Sequence, residues 1–296
     1  MATARKRRST APRLAPYLFV LPNMLVFGLF TIWPAISGFN ISLYDSSNGR
    51  TFEYVGTQNY ERILSDPDYW ETARNTVVYT IAFVVLVTAA SLALAILLNA
   101  QQRGKGALRA AYFVPVVISP VVVGLIWSWV MTRQNGVVNE LLRGVGLPAP
   151  GWLLDPSLAM LVIILFGVWI NLGFFTMILL AGLQSIDPNL YEAAKLDGAT
   201  VWKQVREITL PLLRPTTMVV VILAAINGFQ AFDYIWTLTG GGPVGATTLM
   251  VQYIYENAFQ SPIQYGLASA AGVIFFIVVF GVTMLNYLVG RRREAM

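Results

Sequence analysis

The chain has 296 residues, 56% of them hydrophobic and 12% charged, with a mean hydropathy of +0.62, which is too apolar for a water-soluble domain and marks an integral membrane protein. It has no cysteine and no histidine, so disulfide staples, thiolate or imidazole metal sites, and every nucleophile or base built on those side chains are excluded. The net charge of +5 raises the question of nucleic acid, but the positions of the basic residues point instead to membrane topology.

Arg5, Lys6, Arg7, Arg8 and Arg13 make residues 1–13 a basic tail, followed by an apolar run from about Leu14 to Leu43. That run is longer than a signal-peptide core and has no small-residue cleavage site, so it reads as a first spanning helix, bent near Pro22 and Pro34. From Tyr44 to Arg74 the chain is polar, with a turn-rich YDSSNGR and a surface helix expected over YERILSDPDYWETARN. Asp66 and Asp68, on either side of Pro67, read as a helix cap in a solvated loop rather than an acid or metal site.

A second span runs from about Asn75 to Asn99, and a basic loop follows with Arg103, Lys105 and Arg109. Its Gly-Lys-Gly lacks the spacing of a phosphate-cradling loop, so no ATP site is expected in this chain. The third span, about Ala110 to Met131, contains Pro115 and Pro120, which a membrane helix tolerates where neighbours satisfy the freed carbonyls. A polar segment, Thr132 to Pro156, then leads to a fourth span over about Ser157 to Leu183.

Next comes the longest polar insert with helix signals of its own, within residues 184–214. Asp187 can cap a helix whose first residue is Pro188; good helix formers follow to Leu196, and Gly198 can end the run with positive φ. Thr200 can cap a second short helix from Val201 to about Ile208, which Pro211 is expected to keep from continuing far. Neither helix is long enough to stand alone in water, so the pair must dock. Val201, Val205 and Ile208 share one side with Trp202 beside them, which suits a partner's groove; a hairpin lying on lipid is the alternative.

The fifth span covers about Pro215 to Leu238 and ends at Thr239-Gly240-Gly241-Gly242-Pro243, a sharp loop. An interfacial segment, Thr248 to Phe259, precedes a sixth span over about Tyr265 to Val289, and Arg291, Arg292 and Arg293 close the chain. Of the 20 basic residues, 15 fall on the side of the helical insert and both termini, and 5 on the other. Lys and Arg favour cytoplasmic loops, so the insert and both ends are expected in the cytoplasm.

Polar and aromatic side chains within the spans mark a candidate path: Trp169, Asn171, Gly173, Phe174 and Thr176 in span four, Asn227, Gln230 and Asp233 in span five. Asn227, Gln230 and Asp233 follow at intervals of three, which would place them on one helical stripe. Amides, a carboxylate and rings suit sugar hydroxyls and pyranose faces. For Asn227 and Gln230, hydrogen bonding between membrane helices is an equal alternative, and Asp233 lies near the end of its span, where it reaches water. Trp127, Trp129 and Trp236 read as interfacial belt residues rather than ligands.

Glu192-Ala193-Ala194, Gly198 four residues later, then Ile208, Leu210 and Pro211 resemble the EAA signature of ABC importer membrane subunits, at full spacing. The opening PYLFVLPNMLVFGLFTIWPAISGFNISLYD, the segment FEYVGTQNYERIL and FDYIWTLTGGGP extend that resemblance over the chain, to carbohydrate-uptake permeases of the maltose and glycerol-phosphate type. The resemblance implies an all-α membrane protein, one domain over residues 1–296 with the type I importer fold and six transmembrane helices, in the bacterial plasma (inner) membrane. It implies a heterodimer with a second permease subunit, two ATP-binding cassette subunits carrying ATP and Mg, an extracytoplasmic solute-binding protein, and a sugar as substrate. No cofactor or metal would be bound by this chain and no nucleic acid engaged; its remaining contacts would be with membrane lipid.

ATPase coupling would fall to Glu192, Ala193, Ala194, Asp197, Gly198, Ala199, Ile208, Leu210 and Pro211, and in the path only Gly173 carries over from the family directly. The large extracytoplasmic domain and extra N-terminal spans of the maltose protein are missing, which argues against maltose as the default sugar. A glycerol-3-phosphate permease would favour basic residues along the path, and none lies mid-span. An ion-coupled secondary transporter would show ionisable residues deep in the spans and inverted repeats, and neither is evident. A membrane enzyme lacks a paired nucleophile and base.

Overall fold

Prolines mark most of the places where this chain starts or bends a helix. The structure, a computed structural model, describes residues 15–100 and 105–294; the basic tail and Arg103 lie outside the described residues. The first crossing is α1 (Ala15–Phe27), a π turn over Gly28–Ile32, and α2 (Trp33–Ile41). Helix α1 continues through Pro22, and the irregularity sits just before Pro34. Pro34 has no N–H for the Phe30 carbonyl and its ring crowds that oxygen, so the ladder widens and Trp33 N–H reaches Gly28 O.

A short hairpin follows, β1 (Tyr44–Asp45) antiparallel to β2 (Glu53–Tyr54), then α3 (Gln58–Leu64). The single surface helix expected here is split at Pro67. Helix α4 (Pro67–Ala100) starts there and runs 34 residues without interruption, so the helix that carries the second expected span begins well before Asn75. The Asp66 carboxylate caps it, accepting the Asp68 N–H at 3.0 Å and the Tyr253 hydroxyl at 3.2 Å. Burial first, and that carboxylate second, hold the Tyr253 phenol well above its ordinary pKa.

The third expected span is two helices, α5 (Lys105–Val117) and α6 (Pro120–Val130), bent by 104°. Helix α5 keeps Pro115 inside it, and Pro120 opens α6. The polar segment beyond holds an element that was not expected, α7 (Val137–Gly144), organised by Asn139, which is fully buried. Asn139 donates to the carbonyls of Arg133 (3.1 Å) and Pro150 (3.0 Å) and accepts the Trp152 indole N–H (2.9 Å). Asn139→Ala orphans the Pro150 carbonyl and the Trp152 indole N–H, while the Arg133 carbonyl keeps the Arg143 guanidinium, so this segment is expected to lose about 2–3 kcal/mol of local stability. Hydrogen exchange over residues 133–152 would read the loss, and protection equal to that of the unaltered chain would refute it.

Helix α8 (Pro156–Gln184) is the axis of the core, capped by Asp155, which accepts the Ser157 and Leu158 N–H groups. Its Ile163, Phe166, Phe175 and Leu179 pack with Tyr79, Phe83 and Val87 of α4. Gly167 leaves room on this face for the Tyr79 and Tyr234 hydroxyls, which bond to each other. After α8 come α9 (Pro188–Leu196), α10 (Val201–Gln204), a π turn over Val205–Thr209, and α11 (Leu210–Leu212).

Helices α12 (Arg214–Phe229) and α13 (Asp233–Leu238) replace the continuous fifth span expected over Pro215–Leu238: the helix stops at Gln230. In the glycine loop that follows, Gly241 has φ +86, and a Cβ there would run into the Gln252 amide and the Thr248 hydroxyl. Helices α14 (Met250–Phe259) and α15 (Tyr265–Glu294) complete the fold, with Tyr253, Leu267 and Ala271 closing a second core against Ile63 and Tyr69. Four helices are long and apolar enough to cross a membrane, and six crossings result if each bent pair counts as one.

Candidate transport path and coupling knob

A cavity of about 250 Å³ lies where two helices are interrupted, between the α5–α6 bend and the α12–α13 break. Asn171, Asn227, Gln230 and Asp233 all line it, with Ile118, Phe232 and Tyr234 as apolar and aromatic walls. The sequence spacing had placed Asn227, Gln230 and Asp233 on one stripe of a continuous helix. That stripe does not exist, because Gln230 is the C-cap of α12 and Asp233 begins α13. The three meet through the break, and Asn171 joins them from α8.

Asn171 and Asn227 each bond one amide N–H to the carbonyl four residues back, Gly167 and Leu223, both at 2.9 Å. Their amide oxygens and second N–H groups are left for another partner. Among the described residues, no side-chain hydrogen bond engages Gln230 or the Asp233 carboxylate. Asn227, Gln230 and Asp233 are exposed, so the cavity opens on the surface of this chain.

The other path candidates of span four lie elsewhere. Gly173 is a packing position: a Cβ there would strike the Tyr112 carbonyl and crowd Val116 and Phe113 of α5. Thr176 is fully buried and donates to the Leu172 carbonyl at 2.6 Å. Phe174 is exposed and makes an edge contact with Phe175. Trp169 packs against Trp127 and Phe166, with ring centroids 5.6 and 5.7 Å away.

Of the expected belt tryptophans, Trp129 is exposed, Trp127 packs against the core, and Trp236 stacks on Phe232. Tyr234 was missed from the sequence, and no local signal could have found it. Its hydroxyl partner, Tyr79, is 155 positions away.

In the helical insert the local signals work as expected. The Asp187 carboxylate accepts the Asn189 N–H at 2.9 Å, and Gly198 turns the chain at φ +77. Thr200 accepts the Lys203 N–H at 3.4 Å. Pro211 lies inside the second helix, which runs from Val201 to Leu212 and so ends one residue beyond it before bending by 68° into α12. The π turn accommodates it: Leu210 N–H reaches back to Val205 O, and the widened turn absorbs the missing donor of Pro211.

Leu196, Val201 and Trp202 are 89%, 76% and 73% exposed, while Val205 and Ile208 are half-buried. The insert therefore presents an apolar tip. Glu192, Ala193, Asp197 and Gly198 are exposed around it, and Ala194 and Ala199 are half-buried, joined by the Ala199 N–H to Ala194 O bond of 2.8 Å. Leu210 is partly exposed and Pro211 half-buried at the base.

A multi-pass helical body with a polar cavity at paired helix breaks, and an exposed two-helix knob continuous with one of its helices, is an architecture that suits a transport permease. The chain belongs to the family of binding-protein-dependent transport system inner membrane components, whose model matches residues 85–295. It is 36% identical over 281 residues to the trehalose/maltose transport system permease protein MalF of Thermococcus litoralis, with 94% of each chain covered. It is 31% identical to the lactose transport system permease protein LacF of Rhizobium radiobacter, again with 94% of each covered.

Among solved structures, a bacterial ABC transporter involved in the import of the acidic polysaccharide alginate superposes with a TM-score of 0.83 at 25% identity, covering 94% of this chain and 95% of that one.

Proposed function

We propose that this chain is one permease subunit of an ATP-driven, binding-protein-dependent importer of a sugar or oligosaccharide in the bacterial inner membrane. In this reading the chain crosses six times with both termini and the knob in the cytoplasm, which the bias of basic residues supports. The cavity forms half of the sugar path, and a second permease subunit completes the side on which Asn227, Gln230 and Asp233 are exposed. Two ATPase subunits hold ATP and Mg and receive the knob in their clefts. An extracytoplasmic binding protein delivers the sugar from outside.

The observation that carries this reading is the convergence of Asn171, Asn227, Gln230 and Asp233 on one cavity inside otherwise apolar helices. Amide and carboxylate oxygens accept from sugar hydroxyls, and Phe232 and Tyr234 offer ring surface to the apolar face of a pyranose. Among the described residues, the cavity lining holds a carboxylate and no cationic side chain, which favours a neutral sugar over a phosphorylated one. The mechanism is a two-state body biased from both sides, by ATP through the knob and by the loaded binding protein from outside.

Purification from native membranes tests it. An ATPase, a second permease and a binding protein are expected to copurify, and a sugar bound by that binding protein should stimulate ATP hydrolysis by the complex. A chain that purifies alone and takes up sugar on an ion gradient would overturn the proposal in favour of secondary transport.

A further inference from the structure

We propose that Tyr191, Gln204 and Thr209 are positioning residues that lock the two helices of the knob into one lever, so that motion at its tip is delivered to α12 instead of being absorbed at Gly198. The inference rests on the proposed coupling role of the knob and adds the parts that make it stiff.

The need for stiffness comes from Gly198. It sits at φ +77 between α9 and α10 with nothing within 4 Å of where a Cβ would be; backbone bonds from Gly198 N–H to Lys195 O and from Ala199 N–H to Ala194 O close the turn, but no side chain packs on it there. A push on the exposed tip, Leu196, Val201 and Trp202, would bend an unsupported turn first. One side-chain bond, between Tyr191 and Thr209, spans that turn, and two more around Gln204 fix the second helix behind it. The Gln204 amide, in a residue only 7% exposed, donates to the Ala199 carbonyl at 2.9 Å. The Tyr191 and Thr209 hydroxyls lie 3.0 Å apart, joining α9 to the π turn. Thr209 Oγ1 is also 3.4 Å from the Gln204 carbonyl.

Thr209 has a single hydroxyl proton. If it donates to Gln204, then Tyr191 donates to Thr209, and the two bonds run as a chain from α9 through the π turn to α10. The π turn thus has a second role besides tolerating Pro211: it carries the buried Thr209 hydroxyl that Tyr191 reaches. Below the brace both strands of the knob are anchored in the hydrophobic core of the chain, by Ile186 on one side and Leu213, 1% exposed, on the other. From Leu213 the chain enters α12, which ends at the cavity residues Asn227 and Gln230. Tip, brace, anchor and path residues are in mechanical series.

The test uses the intact complex in proteoliposomes and exploits the absence of cysteine in this chain. Leu196→Cys and Val219→Cys carry nitroxide labels, one at the knob tip and one on the exposed side of α12. In Tyr191→Phe and Thr209→Val the distribution of distances between labels is expected to widen. Sugar uptake should fall about fivefold, the loss of roughly one hydrogen bond's worth of coupling, while ATPase subunits still copurify and hydrolysis continues, so that sugar moved per ATP drops.

The double variant should be no worse than either single one, and Thr209→Ser, which keeps the hydroxyl, should restore both readouts. Unchanged label distances in Tyr191→Phe, or uptake and hydrolysis falling in proportion, would overturn the brace. An unaltered complex that imports no sugar would instead refute the transport reading, and the label distances would still decide the brace.

Discussion

Glu192→Lys is expected to reduce ATP-driven uptake by about a hundredfold or more, while the chain still inserts and folds. The Glu192 side chain is exposed, and among the described residues nothing in this chain bonds to it. Its removal therefore costs the fold almost nothing, and any effect must arise where the knob meets a partner. Placing a cation where a docked cleft expects a carboxylate costs several kcal/mol through like-charge contact and unpaired groups, and about 1.4 kcal/mol is a factor of ten.

Gly198→Asp should act at the same place by another route. There is open space around Gly198, so no clash arises, but a side chain at φ +77 is strained by about 1–2 kcal/mol. The turn would then shift and carry Glu192 out of register. Gly198→Asn, which tolerates this region better, should be milder. Uptake into vesicles and copurification of the ATPase check both predictions. Uptake by Glu192→Lys at the unaltered rate would remove this face of the knob from coupling.

The knob was legible because its structure is written locally. Asp187, Pro188, Gly198 and Thr200 each act within four residues, and each does what its chemistry dictates. The π turn was not legible, since nothing in VREIT distinguishes a widened turn from a regular one until Pro211 is seen to be kept inside the helix. The bend in the third crossing carries a mark in Pro120. The break at Gln230 carries none, with neither proline nor glycine at the site itself, and so hydropathy alone read Pro215–Leu238 as one helix.

The cost of that misreading was geometric rather than chemical. The polar residues were the right ones to single out, but a continuous helix would have spread them along its length, whereas the break folds them around one cavity. Contacts over long sequence separations were out of reach altogether. Asn139 joins carbonyls and an indole from three turns of a loop, Tyr79 meets Tyr234, and Gly173 matters for the α5 backbone pressed against it. A polar residue in a span announces that it needs a partner without naming which.

Whether the cavity carries substrate or seals a subunit interface is decided by Asn227, for which both roles are chemically reasonable. Asn227→Trp puts an indole into a space of about 250 Å³ and is expected to reduce uptake by about a hundredfold, with the knob and its ATPase untouched. Asn227→Ala and Gln230→Ala should each lower the maximal rate about fivefold, the loss of one hydrogen bond in the transport cycle. The sugar concentration for half-maximal uptake should hardly change, because the binding protein sets that affinity before the sugar reaches the path.

An interface role predicts a different pattern. Asn227 already bonds one N–H within its own helix, so the remaining amide groups would bond the second permease, and Asn227→Ala would then loosen the pair. The second permease would be lost on purification, and uptake and hydrolysis would fall together. An Asn227→Ala complex that keeps all its subunits and hydrolyses ATP, but moves less sugar per turnover, is the result expected of a path residue.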